Sequence, residues 1–210
     1  MDAHVFMSSF HERKPIVKED LKRILNIHNQ NTLNQTISYL VSFGVLKRFE
    51  NGIYYVPSSN EKFSHLKPSL NDVIKKKYLD DYHGIRTGAY LLYKYKLTSQ
   101  VSTYYEILSH KVSPLTRSKH LYNGKVIVSY PPFKVNKHNI HYLEFLEVIK
   151  YIHFSDDSIE KSQIKLINIK KQLHLSKEEI IAYSKYYNGK RYAGFREVVK
   201  EIAKDEIASK

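Results

Sequence analysis

The sequence predicts an α+β fold, and three observations carry that expectation. Apolar residues recur at helical spacing up to Gly44. Two Asn-Gly pairs, Asn51-Gly52 and Asn123-Gly124, each sit between β-rich runs. Beyond Pro131-Pro132 the pattern turns helical again.

Taken in order, Val5, Phe6 and Phe10 fit one helical face before Arg13-Lys14-Pro15 breaks it. Val17, Leu21, Ile24 and Leu25 mark a second helix, with Glu19 and Asp20 in its first turn, where the helix dipole favours them. A polar turn over 26–31 leads to a third stripe, Leu33, Ile37, Leu40 and Val41, and Gly44 stands where a C-terminal cap belongs. The runs either side of Asn51-Gly52 read as a hairpin, because both residues tolerate positive φ. Three short helices and a hairpin make a winged helix-turn-helix over residues 1–60.

Residues 58–76 read as a connector, with a mixed α/β C-terminal domain over 70–210 that ends in helices. Within it 70–79 and 84–95 are expected helices, the second with Ile85, Ala89, Leu92 and Tyr93 on one side. Residues 104–112, 116–121 and 125–130 are expected strands, and 143–154, 158–173, 176–187 and 192–208 helices. Ser176 followed by Glu179 has capping-box spacing.

In a helix-turn-helix the second helix of the pair enters the major groove. With the apolar stripe inward, Asn31, Thr32, Asn34, Gln35 and Ser38 face outward. Asn and Gln can pair bidentately with adenine, and Thr can bond a base or present its methyl. The hairpin supplies Lys47 and Arg48 on its first strand as phosphate contacts and Tyr54 on its second as a further backbone contact. An ordinary polar face and hairpin on a protein-binding module would carry the same pattern.

Composition narrows the partner. The formal charge of +13 favours an anionic one, nucleic acid first. About +2 of it falls in residues 1–60, +8 in 61–150 and +3 in 151–210, so the middle region needs a role of its own. The chain has no cysteine, which removes disulfides and thiolate metal sites and fits a reducing cytoplasm. No apolar run is long enough to span a bilayer, and the N-terminus lacks a signal-peptide core, so no membrane partner and a cytoplasmic location are expected.

There is no P-loop, no His-Glu-x-x-His and no Gly-x-Ser-x-Gly, so no cofactor and no enzyme activity are expected. His138 and His141 lack a carboxylate at ligand spacing. Asp80-Asp81 and Asp156-Asp157 read as helix-end charges, and Lys75-Lys76-Lys77 as a solvated face.

One stretch goes further. Tyr82-His83-Gly84-Ile85-Arg86-Thr87-Gly88-Ala89-Tyr90-Leu91-Leu92-Tyr93 leads into Lys96-Leu97-Thr98-Ser99-Gln100-Val101 and then Tyr105-Glu106-Ile107-Leu108-Ser109. With Gly44-Val45-Leu46-Lys47-Arg48 and Gly52-Ile53-Tyr54, this resembles the AbiEi family, the antitoxins of type IV toxin–antitoxin (abortive infection) systems. The resemblance covers roughly residues 10–115. Lys96 stands where that family commonly has Gly, Ser99 replaces a Thr, and the C-terminal helices match no motif securely.

The resemblance implies a two-part role. The winged helix would bind inverted repeats in the operon promoter and repress it. The remainder would counter a nucleotidyltransferase-like toxin, with no stable complex required. Other readings stay open: a winged-helix regulator with an effector-sensing C-terminal domain and no toxin, a nuclease, or a protein-binding module.

Overall fold

The computed structural model describes residues 10–115, 118–189 and 192–204. It is a mixed α+β structure that divides into two compact units, Met1–Asp80 and Asp81–Lys210. The expected helix on Val5, Phe6 and Phe10 lies outside the described residues except for Phe10, which packs on the core of the first unit. Residues 116–117 and 205–208 of the expected terminal strand and helix also lie outside them.

The first unit holds strand β1 (Ile16–Val17), helices α1 (Lys18–Leu25) and α2 (Gln30–Ser42), and strands β2 (Lys47–Glu50) and β3 (Ile53–Tyr55). β1 was not expected, because it is two residues long and carries no local signal. It pairs antiparallel with β3, Ile16 opposite Tyr54, so β3 becomes the centre of a three-stranded sheet in the order β1-β3-β2.

Ile16, Tyr54 and Val56 pack with Leu21, Leu33, Ile37 and Leu46 in one core beneath the two helices. The apolar stripe of α2 closes it with half-buried Leu40 and Val41.

Helix α3 (Leu70–Ile74) continues as a π-helical turn over Lys75–Leu79 and belongs to this unit, not to the second. The π turn packs against β1. Lys76 pairs with Asp20 at 3.0 Å and Asp80 at 3.7 Å, and Lys77 with Glu50 at 2.6 Å. Two of the three lysines expected on a solvated face are therefore held in ion pairs. Burial pulls the Lys77 pKa down, but its bonds to Glu50 and Tyr78 outweigh that and hold it above the ordinary value.

The second unit is built on a four-stranded sheet of β4 (Gly84–Arg86), β5 (Tyr105–Ser109), β6 (Lys119–Leu121) and β7 (Val126–Ser129) in the order β4-β5-β7-β6. β5 and β7 run parallel and the other neighbours antiparallel. The second Asn-Gly pair turns β6 into β7, with Tyr122, Asn123 and Gly124 all at positive φ.

Residues 84–95 correct the expectation of one helix. Gly84–Arg86 is a strand and only Ala89–Lys94 is helical (α4). A Cβ at Gly84 would overlap the Leu108 carbonyl oxygen, so glycine permits the close strand pairing. Gly88, at φ 67°, then turns the chain into α4. Leu91 is buried there, while Tyr93, expected inward, is exposed.

Helix α5 (Ile140–Tyr151) is the spine of this unit, buried continuously from Tyr142 to Ile149. A helix apolar nearly all round must be surrounded. Helices α4, α6 (Ile159–Gln172), α7 (Lys177–Ser184) and α8 (Ala193–Lys204) pack about it. Ser158 and Ser176 cap α6 and α7 through the backbone N–H groups of Lys161 and Glu179.

Candidate functional site

Two places in the molecule gather chemistry, one in each unit. In the first, α1 ends at Asn26, whose left-handed conformation (φ 52°, ψ 38°) stops the helix. Asn29 starts α2 by accepting from the N–H groups of Asn31 at 2.8 Å and Thr32 at 3.1 Å. The connection between the helices is thus residues 26–29.

Asn31, Thr32, Asn34, Gln35 and Ser38 are all exposed, while Leu33 and Ile37 are buried. At about 100° per residue, Asn31, Gln35, Ser38 and Ser42 share the ridge opposite the core, with Thr32 and Asn34 on its flanks. Asn34 Oδ1 accepts from Lys18 Nζ at 3.0 Å and Gln30 Nε2 at 3.2 Å. Those bonds fill both lone pairs of its amide oxygen. α2 carries no charged residue.

Beside the ridge, Tyr39 and Phe43 are exposed by 63% and 66%, with ring centroids 4.3 Å apart. Their signal was an aromatic pair four residues apart on the face opposite the core stripe.

The hairpin separates its two cations. Lys47 and Arg48 are both exposed, but neighbours on a strand point to opposite faces. Lys47 Nζ donates to the Ser64 carbonyl at 2.9 Å. Arg48 stands opposite Tyr54, its guanidinium 5.8 Å from the ring centroid, on the face that meets α1 and α2. Tyr54 itself is a correction: it is only 2% exposed and belongs to the core, so it is withdrawn as a backbone contact. β1 is the cause, since it makes Tyr54's strand central.

In the second unit a cavity of about 420 Å³ is lined by Glu106, Glu147, Lys150 and several tyrosines. Glu147, on α5, is 1% exposed. Its carboxylate accepts from Thr87 Oγ1 at 2.6 Å, Tyr187 OH at 2.9 Å and Lys150 Nζ at 2.8 and 3.1 Å. Those four bonds match the lone-pair capacity of a carboxylate.

Burial pulls Lys150 down, but Glu147 outweighs it and the net shift is up. Burial pushes Glu106 up, against the pull of Lys150 and the Ala89 N–H that it accepts. Tyr151 is pushed up to about 12, chiefly by burial. None of these residues was a sequence candidate. The available signal was two glutamates, Glu144 and Glu147, inside an otherwise apolar helical run.

Asp156 also departs from its expected role as a helix-end charge. It accepts from the Ser99 N–H at 2.8 Å, the Thr98 hydroxyl at 3.0 Å and the Ser99 hydroxyl at 3.1 Å. The Ser99 N–H is the main reason its pKa is lowered. Asp156 thereby anchors the Lys96–Val101 segment.

Among the described residues no group of three or more His, Asp or Glu is placed to hold a metal ion, and no helix is long and apolar enough to cross a membrane.

Residues 16–113 match the model of a family of unknown function, DUF6088. No curated protein matches the chain, and no solved structure does. The matched span takes in α2, the hairpin, Gly84, Gly88 and Glu106, and stops before α5. The chain is therefore similar to this family through the first unit and the start of the second, while Glu147 and Lys150 lie beyond the similarity.

Proposed function

We propose that residues 1–60 act as a winged helix-turn-helix that reads double-stranded DNA, with α2 in the major groove, and that the chain is a non-enzymatic antitoxin repressing its own operon. The observation that carries the DNA reading is the ridge of α2: uncharged, exposed, polar, and one four-residue turn after α1. Short amides and hydroxyls on such a ridge have the donors and acceptors that base edges require. Arg48, near the sheet face that meets the helices, supplies a phosphate contact. The antitoxin half rests on the sequence resemblance to the AbiEi family, whose matching residues include the Thr98-Ser99 segment held by Asp156.

The experiment has two arms. In a gel shift, the full chain should retard DNA from upstream of its own gene more strongly than scrambled DNA. In cells, a neighbouring nucleotidyltransferase-like toxin is expressed from an unrelated promoter, so that repression cannot help. The full chain, and equally its Asn34→Ala/Gln35→Ala form, should restore growth. No rescue by either removes the antitoxin assignment. Rescue by the native chain alone removes the division of labour.

A second reading, a regulator whose C-terminal part senses an effector, is favoured by the cavity at Glu147. Specific DNA binding without rescue would select it.

A further inference from the structure

We infer that the cavity of the second unit is a nucleobase site, holding one nucleoside or the base of a single-stranded terminus. The inference is independent of the DNA reading of the first unit. A volume of about 420 Å³ lies within the usual range of small-molecule sites.

Its polar groups are already divided between structure and ligand. The four acceptor positions of Glu147 are filled by Thr87, Tyr187 and Lys150. Glu147 is thus a positioning residue: it holds the Lys150 ammonium, which uses two of its three N–H donors on that carboxylate. The third lies on the Tyr151 hydroxyl, which keeps its own O–H to donate. Glu106 lines the same cavity and accepts one backbone N–H from Ala89, which leaves acceptor capacity. The cavity is therefore lined by a hydroxyl donor, Tyr151, and a carboxylate acceptor, Glu106.

Aromatic rings complete the site. Tyr151, Tyr186 and Tyr192 line it, and the Lys150 ammonium lies 4.9 Å from the Tyr151 ring centroid. A donor and an acceptor in one cavity with aromatic rings complement a base edge, which presents an acceptor next to an N–H and has a π-face to stack.

Other ligand classes fit less well. A phosphate or carboxylate would meet the Glu106 carboxylate. A metal ion would find one carboxylate with capacity, because Glu147 is saturated. An aliphatic ligand would leave the remaining acceptor positions of Glu106 unsatisfied.

The test is titration of the full-length protein, by calorimetry and ligand-observed NMR, with adenosine, guanosine, cytidine, uridine, ribose and a single-stranded trinucleotide. At least one nucleoside or the trinucleotide should bind with Kd below about 1 mM, and ribose should not. A nucleoside signal assigns a free ligand, and a signal from the trinucleotide alone assigns a strand terminus. Glu106→Gln keeps the side-chain shape but puts an amide where an acceptor is needed, and Tyr151→Leu removes a ring. Each should weaken binding by about tenfold, with thermal unfolding recorded to show that the variants are folded. Absence of binding by every base-containing probe overturns the inference. So does binding that neither substitution alters in folded protein.

Discussion

The two units treat polar groups in opposite ways. The first keeps the amides and hydroxyls of α2 on the outside, over an apolar core at whose margin Asp20 is buried in its pair with Lys76. The second buries Glu144 and Glu147 within its most enclosed helix and satisfies both, Glu144 with Lys94 and Tyr95, Glu147 with Lys150, Thr87 and Tyr187. An exposed face can be read by a partner but adds little to stability. A buried network constrains the fold and holds its groups in place. On the proposed reading, recognition is then a surface property in the first unit and a property of the interior in the second.

The largest effect should come from breaking the interior. Lys150→Met leaves the Glu147 charge enclosed without its cation, and the cost should be about 3 kcal/mol in urea unfolding. A loss below about 1 kcal/mol would mean that Glu147 is relieved by water or protonation, and the contrast between the units would weaken.

That interior was also the part least legible in the sequence. The glutamates of α5 were visible, but Thr87 lies 60 residues from Glu147 and Tyr187 lies 40. No local pattern reports such partners. The same holds for β1 and β4. Ile16–Val17 becomes a strand only through Tyr54, and Gly84–Arg86 only through Ile107 to Ser109. The spacing of Ile85, Ala89 and Leu92 imitates a helix until Gly88 is seen at positive φ. By contrast α2, both Asn-Gly hairpins and the helices after Pro131-Pro132 were legible, because caps, turn residues and apolar periodicity are local. For α2 that legibility extends to the exposed face. For Tyr54 it failed, because whether a hairpin strand is edge or centre depends on a third strand.

A smaller effect sharpens the surface side of the comparison. Arg48→Ala should reduce the slope of log affinity against log salt by about one unit, since one phosphate contact is lost. Lys47→Ala should leave it unchanged, because Lys47 points to the other face and donates to Ser64. Equal slopes for the two variants would place the hairpin differently on DNA.

The smallest effect concerns Lys96, at φ 57°. A left-handed conformation is strained for a side chain with a Cβ. Lys96→Gly should therefore leave stability unchanged or raise it by up to about 1 kcal/mol in thermal unfolding. A clear loss would show that the Lys96 side chain contributes more than its backbone costs.

The most direct measurement is competition binding of the full chain and its Asn34→Ala/Gln35→Ala variant to upstream and unrelated DNA at one fixed salt concentration. Base contacts carry specificity and phosphate contacts do not. The double substitution should weaken specific binding by about tenfold, from about 1–3 kcal/mol for a bidentate Gln35 contact, and leave non-specific affinity nearly unchanged. Equal losses on both DNAs, or no loss on either, would contradict the placement of α2 in the groove.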